Sequence, residues 1–190
     1  MIDKIKELIK ESIKVKEELL KEQVNAIEKA AKLIISSLRR GGKLIIFGNG
    51  GSASDSQHIV AELVGRFKKE RRPLPAVALT TNTSILTALA NDYSFDIVFS
   101  KQIEAIGRKQ DVVIGISTSG KAKNVLNGIL TAKKMGLKTI SFTGKKGKKL
   151  SKLTDISIVV PSEVTARIQE AHIMIGHILC ELIEEEIFKE

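Results

Sequence analysis

Five short runs of aliphatic and β-branched residues recur along the chain, and stretches of helical spacing separate them. This alternation limits the possible folds more than any other feature. The runs are Lys43 to Phe47, Pro75 to Leu79, Val112 to Ile116, Lys138 to Phe142 and Ile156 to Val160. They lack the strict apolar–polar alternation of a half-exposed strand, so they read as parallel strands buried on both faces. Helices are predicted near 52–66, 83–90, 95–107 and 122–135, with a last one near 162–188. Such a pattern builds an α/β fold: a doubly wound five-stranded parallel sheet flanked by helices, in three layers.

A long helical segment precedes the first strand. Apolar residues recur at helical spacing from Ile2 to Ile34, with a possible break near 20–24, and Gly41-Gly42 ends the segment. The apolar positions fall on more than one side, as expected of a helix that packs against another subunit. The 190 residues are read as one domain, with 1–42 as an oligomerisation segment.

Hydrophobic residues make up 43% of the chain, enough for a full core and too many for disorder. The formal net charge is +9, which raises the question of nucleic acid. The lysines are spread over helix faces, and the densest runs, Lys68 to Arg72 and Lys145 to Lys149, lack interleaved aromatics. They read as solvated surface whose field gathers anionic small molecules. The single cysteine, Cys180, rules out an internal disulfide and fits a reducing compartment. No apolar run approaches the ~20 residues that cross a bilayer. No signal-peptide pattern opens the chain, so a cytoplasmic protein without a membrane or nucleic-acid partner is expected.

Two of the strands run into loops suited to phosphate. Leu44 to Phe47 leads into Gly48-Asn49-Gly50-Gly51-Ser52 and then a helix, with Ser52 expected to cap it. Glycines let the main chain approach an anion, and N–H groups at a helix start point at it. Val112 to Ile116 leads likewise into Ser117-Thr118-Ser119-Gly120. In a doubly wound sheet both loops lie at the carboxyl edge, where ligands bind.

Residues able to move protons follow the first loop. His58 and Glu62 are spaced i, i+4 and share one helix face, where they can hold a metal or handle a proton. His177 lies in an apolar stretch of the last helix, as either a core histidine or a general acid/base. Gly176 beside it is costly within a helix and suggests close packing. Asn91-Asp92 reads as turn and capping chemistry or as contacts to sugar hydroxyls. Arg66 is left open between solvent and a substrate phosphate.

Taken in order, Gly48 to Ser52, His58 with Glu62, Gly65-Arg66, Ala90-Asn91-Asp92, Ser117 to Gly120, and Ala166 to Glu170 with His177 resemble the phosphoheptose isomerases of the sugar isomerase (SIS) domain proteins. The resemblance covers nearly the whole chain. It implies isomerisation of sedoheptulose 7-phosphate to D-glycero-D-manno-heptose 7-phosphate, the first step toward nucleotide-activated heptose for lipopolysaccharide or other surface glycans. It implies Glu62 and His177 as the catalytic pair. It implies a divalent metal, usually zinc, on His58, Glu62, Gln169 and His177. The substrate would lie against Asn49, Gly50, Gly51, Ser52, Glu62, Asn91, Asp92, Ser117, Thr118, Ser119 and Gln169. A homotetramer with active sites between subunits is also implied.

Ketose–aldose interconversion through an enediol needs a base for the carbon-bound proton and an acid that serves the oxygen, roles the resemblance gives to Glu62 and His177. A metal would steady the oxyanion, yet a ligated carboxylate is a poorer base, so the sequence leaves the ion's role open. In one straight helix Gln169 and His177 would lie about 12 Å apart along the axis and about 80° apart around it. Either the helix bends or the two come from different chains, and the second is favoured. Where the family often carries a serine two residues beyond Ser-Thr-Ser-Gly, this chain has Ala122, flanked by Lys121 and Lys123. Two other readings remain: a non-catalytic SIS protein that binds a replication initiator, and a sugar-phosphate-sensing regulator. The presence of both Glu62 and His177 argues against the first. The absence of a recognition helix within 1–42 argues against the second.

Overall fold

The computed structural model describes residues 1–189. Helices α1 (Ile2–Glu22) and α2 (Val24–Arg39) lead into β1 (Leu44–Gly48), α3 (Gly51–Val64), β2 (Ala76–Ala78) and α4 (Thr83–Asp92). A 3-10 turn (Phe95–Ile97) opens α5 (Val98–Ile106). There follow β3 (Val112–Ser117), α6 (Lys123–Lys134), β4 (Lys138–Gly144), the short α7 (Lys148–Ser151), β5 (Ile156–Val160) and α8 (Thr165–Ile187). The five strands form one parallel sheet in the order β2-β1-β3-β4-β5, the doubly wound arrangement expected.

The central strands β1 and β3 feed two cores, one on each face of the sheet. Ile46, Ile114, Ile116 and Phe142 point into the core beneath α1, α2, α3 and α8. Their alternate neighbours Ile45, Phe47 and Val113 point into the core beneath α5 and α6. Both faces are dry, which is why the strands read as continuous apolar runs. The N-terminal segment is two helices, broken at Gln23. The break has a use: Gln23 Oε1 accepts the Val159 N–H of β5, 3.1 Å away, so the side chain occupies a donor on an edge strand.

Helix α1 buries only Val15 and Leu19 and leaves Ile2, Ile5, Ile9 and Ile13 exposed. Two contacts pin it to α8. Ser12 Oγ donates to Glu170 Oε2 at 2.7 Å, and Arg167 Nη1 donates to the Leu8 carbonyl at 2.8 Å. Among the described residues no helix is long and apolar enough to cross a membrane.

His172 sits wholly inside the core between α8 and β4, its ring 5.8 Å from that of Phe142. Neither ring nitrogen has a well-formed hydrogen bond. Burial pushes the imidazole down to about 4 from its ordinary 6.5, only partly opposed by the Thr143 backbone. The unfolded chain therefore takes up this proton first as the pH falls. The stability tied to the neutral ring is complete above the ordinary value and is lost on the way down to about pH 4. That loss is expected to be ~3 kcal/mol and to be missing in His172→Leu, measured by chemical denaturation at a series of pH values.

Candidate active site

The parallel register of β1 with β3 sets Gly48 beside Ile116, so the two glycine-bearing loops leave the sheet side by side. The sheet's topology also reverses here, since β2 lies on one side of β1 and β3 on the other. Gly50 has φ +55° and ψ −122°, a conformation that only glycine adopts without strain, and it stands at the cap of α3. The expected cap, Ser52, is instead buried in the first helical turn, its N–H donating to the Asn49 carbonyl at 3.0 Å. In the second loop the Gly120 N–H donates to both the carbonyl and Oγ of Ser117. Ser119 Oγ accepts from the Lys121 N–H.

A pair of side-chain bonds spans the two loops. Asn49 and Asn124 exchange amide hydrogen bonds of 2.9 and 2.8 Å. The Asn49 side chain thus braces the cradle, leaving main chain to face a ligand. Asn124 was not singled out in the sequence, although its place in the first turn after Ser-Thr-Ser-Gly was a usable signal.

His58 and Glu62 rise from the later turns of α3, and His177 comes to them from α8. The helices approach closely where Gly176 meets Ile59; a Cβ on Gly176 would lie 2.6 Å from Ile59 Cγ1. His58 Nε2 is 3.1 Å from Glu62 Oε1 and 3.4 Å from His177 Nε2. The His58 and His177 rings meet edge to face at 5.0 Å. His177 is half-buried, and the core histidine of this helix is His172. The Phe67 ring lies 5.7 Å from that of His177. Cys180, one turn further along α8, is no nucleophile, because burial pushes its thiol up to about 12, with the Glu62 charge adding to the effect. Asp55, one turn before His58, was also missed from the sequence. Burial pushes it up to about 6 against the opposing charge of His58, and its Oδ2 has no hydrogen-bond partner.

Gln169 does not share that end of the site. Its amide covers Gly51, where a Cβ would fall 2.3 Å from Nε2. Because α8 runs unbroken through both residues, Gln169 and His177 stand about 12 Å apart along its axis. Asn91 and Asp92 end α4, both exposed, with side chains bonded to each other at 2.9 Å. Arg66 is exposed and makes a long 3.7 Å pair with Glu70. Ala122 is the cap residue of α6 and offers no side-chain bond. Of its flanking lysines, Lys123 is engaged by Asp96 at 3.4 Å, whereas Lys121 has no ion-pair partner among the described residues. Lys121 lines a cleft of about 100 Å³ with Thr118, Ser119 and Lys146.

The donor set fits a divalent metal. One donor atom each from His58, Glu62 and His177 all lie within 4.8 Å of one another. Two imidazole nitrogens and one carboxylate oxygen match the three-ligand pattern of catalytic zinc sites, which keep a position open.

A family profile for the SIS domain matches residues 7–144. The phosphoheptose isomerase of Aquifex aeolicus is 52% identical over 187 residues, spanning 98% of each chain. That of Thermodesulfovibrio yellowstonii is 54% identical over 187 residues, 98% of this chain and 93% of the relative. The solved phosphoheptose isomerase of Neisseria gonorrhoeae superimposes with a TM-score of 0.91 at 43% identity, covering 96% of this chain and 98% of the other. With its glycine loops at the topological switch and its histidine–glutamate cluster beside them, the chain belongs to the SIS-domain family and, within it, to the phosphoheptose isomerases, and it is an isomerase.

Proposed function

We propose that the chain converts sedoheptulose 7-phosphate to D-glycero-D-manno-heptose 7-phosphate, supplying heptose for nucleotide activation. The convergence of His58, Glu62 and His177 next to two phosphate-type loops carries this reading. The phosphate of the substrate sits on the loops Asn49 to Ser52 and Ser117 to Ser119, where main-chain N–H groups and hydroxyls converge. Asn91 and Asp92 contact the sugar hydroxyls. The Glu62 side chain is 26% exposed, so its carboxylate is reachable from solvent while held by its neighbours. Glu62 takes the proton from the terminal hydroxymethyl carbon and returns it to the adjacent carbon. His177 serves the oxygens, giving a proton to the former ketone oxygen and relieving the neighbouring hydroxyl of one.

Zinc would be held by His58, Glu62 and His177, with Gln169 as a further ligand from the partner subunit. When bound it supplies positive charge for the developing oxyanion. Glu62→Gln and His177→Ala are each expected to lower kcat by about 100-fold or more while leaving the circular dichroism spectrum unchanged. A chelator is expected to abolish turnover and added zinc to restore it. Chelator-insensitive turnover would remove the metal from the scheme, and near-normal rates in both variants would remove the proton-transfer assignment.

Assembly follows from the apolar surface. A groove of about 470 Å³ between α1, α2 and α8 is lined by Leu19, Leu20, Val24, Met174, Ile178 and Leu182, and the exposed isoleucines of α1 extend it. A homotetramer covers this surface and completes each site between subunits. The single, buried cysteine suits the cytoplasm. Ile9→Asp, placed on the exposed stripe, is expected to shift the particle to a lower mass by light scattering and to reduce activity with it. An unchanged mass would place the interface elsewhere.

A further inference from the structure

Beyond the residues that face the substrate, one buried ion pair is linked to both halves of the catalytic cluster, to Glu62 directly and to His177 through Phe67. Arg71 and Glu184 pair at 2.8 Å with their side chains 1% and 2% exposed. Every nitrogen of the Arg71 guanidinium donates. Nε donates to Glu184, Nη1 to the carbonyls of Leu63, Gly65 and Arg72, and Nη2 to the carbonyl of Glu62 at 2.9 Å. These include carbonyls that the end of α3 leaves without helical partners. Glu184 in turn accepts the backbone N–H groups of Phe67, Lys68 and Lys69 at 2.7 to 3.1 Å. Burial works against the Glu184 charge, but these donors and Arg71 outweigh it and hold its carboxyl below the usual range.

The two ends of this pair engage the two helices that form the site, Arg71 from the segment that follows α3 and Glu184 from within α8. Glu184 lies about two turns beyond His177 on α8. Arg71 grips the main chain of Glu62 itself. The segment between them also carries Phe67, whose N–H is held by Glu184 and whose ring packs on His177.

We propose that Arg71 and Glu184 are positioning residues, a clamp that sets Glu62 against His177 across the α3–α8 interface. The proposal rests on the reading of Glu62 and His177 as the acid/base and metal-binding pair. A fold that only needed burial here could use apolar side chains, because a buried ion pair adds little net stability over a well-packed hydrophobic pair. What the pair supplies is direction: a rigid planar fork that grips the carbonyls at the end of α3 and a carboxylate on α8.

The test compares Arg71→Lys and Glu184→Gln with Ile103→Ala, a core variant on α5 at the opposite face of the sheet. Lysine keeps the charge and loses the fork; glutamine keeps the shape and loses the charge. In both clamp variants kcat for the heptose phosphate is expected to fall at least about 10-fold with KM changed by less than about threefold. Zinc affinity, measured by chelator competition without substrate, is expected to weaken by about 10-fold. Ile103→Ala should lower the melting temperature and leave both quantities alone. The clamp is overturned if a folded variant keeps kcat and zinc affinity within about twofold of wild type, or if Ile103→Ala loses as much at equal stability. If neither variant folds, the pair is structural alone and the proposal is wrong. Failure of the underlying reading would show in the wild-type protein, which would neither turn over the substrate nor bind zinc. In that case crystal structures decide: an unchanged Glu62–His177 separation in Glu184→Gln overturns the clamp, and a widened one upholds it.

Discussion

The site depends first on the hydrogen-bonded pairing of β1 with β3. These two strands send their following helices to opposite faces of the sheet. The chain after β1 enters α3 on one face, and the chain after β3 enters α6 on the other. Between the departing helices a crevice opens at the carboxyl edge, and main-chain N–H groups from two helix starts face into it. A slip of one residue in this register would exchange the two buried faces of a strand. The Ile45–Val113 and Ile46–Ile114 pairs, buried in separate cores, prevent that slip. The Asn49–Asn124 bridge then ties the loops directly, so the cradle is held by main chain, core and side chain together.

The cluster of His58, Glu62 and His177 depends on a different contact, the close crossing of α3 and α8. Gly176 removes the side chain that would hold the helices apart at Ile59. The next residue, His177, therefore reaches His58 without bending either helix. Close approach in the middle and the Arg71–Glu184 pair at the end constrain the same two helices at two heights. Two fixed points along a pair of rods determine their relative rotation, which one contact cannot do.

The sequence reveals the sheet because a doubly buried strand is a local pattern, and it reveals both loops because glycine and serine punctuate the strand ends. Strand positions therefore agree with expectation to within a residue or two. What it hides is whatever depends on distant partners. Arg71 looks like one member of a solvated basic run until Glu184, 113 residues away, comes to meet it. Ser52 looks like a helix cap until Gly50 takes the positive φ that starts the helix two residues earlier. His172 and His177 share one apolar helix and differ by about 140° around it, so only one of them can face the sheet squarely. Sequence shows that a choice exists. The packing of α8 on β4 and α3 makes it, burying His172 and turning His177 to the cluster.

Helix α3 also acts as a spacer between the two functions. Its first residue, Gly51, belongs to the phosphate-type loop, and His58 lies seven residues on, about 10 Å along the axis. On the proposed reading the phosphate occupies the loop and the carbons that exchange a proton lie near Glu62. The substrate then spans the separation between loop and carboxylate, with phosphate on one end and the carbonyl near the other. Both ends of that helix are held, by Gly50 and the Asn49–Asn124 bridge at the start and by Arg71 at the finish.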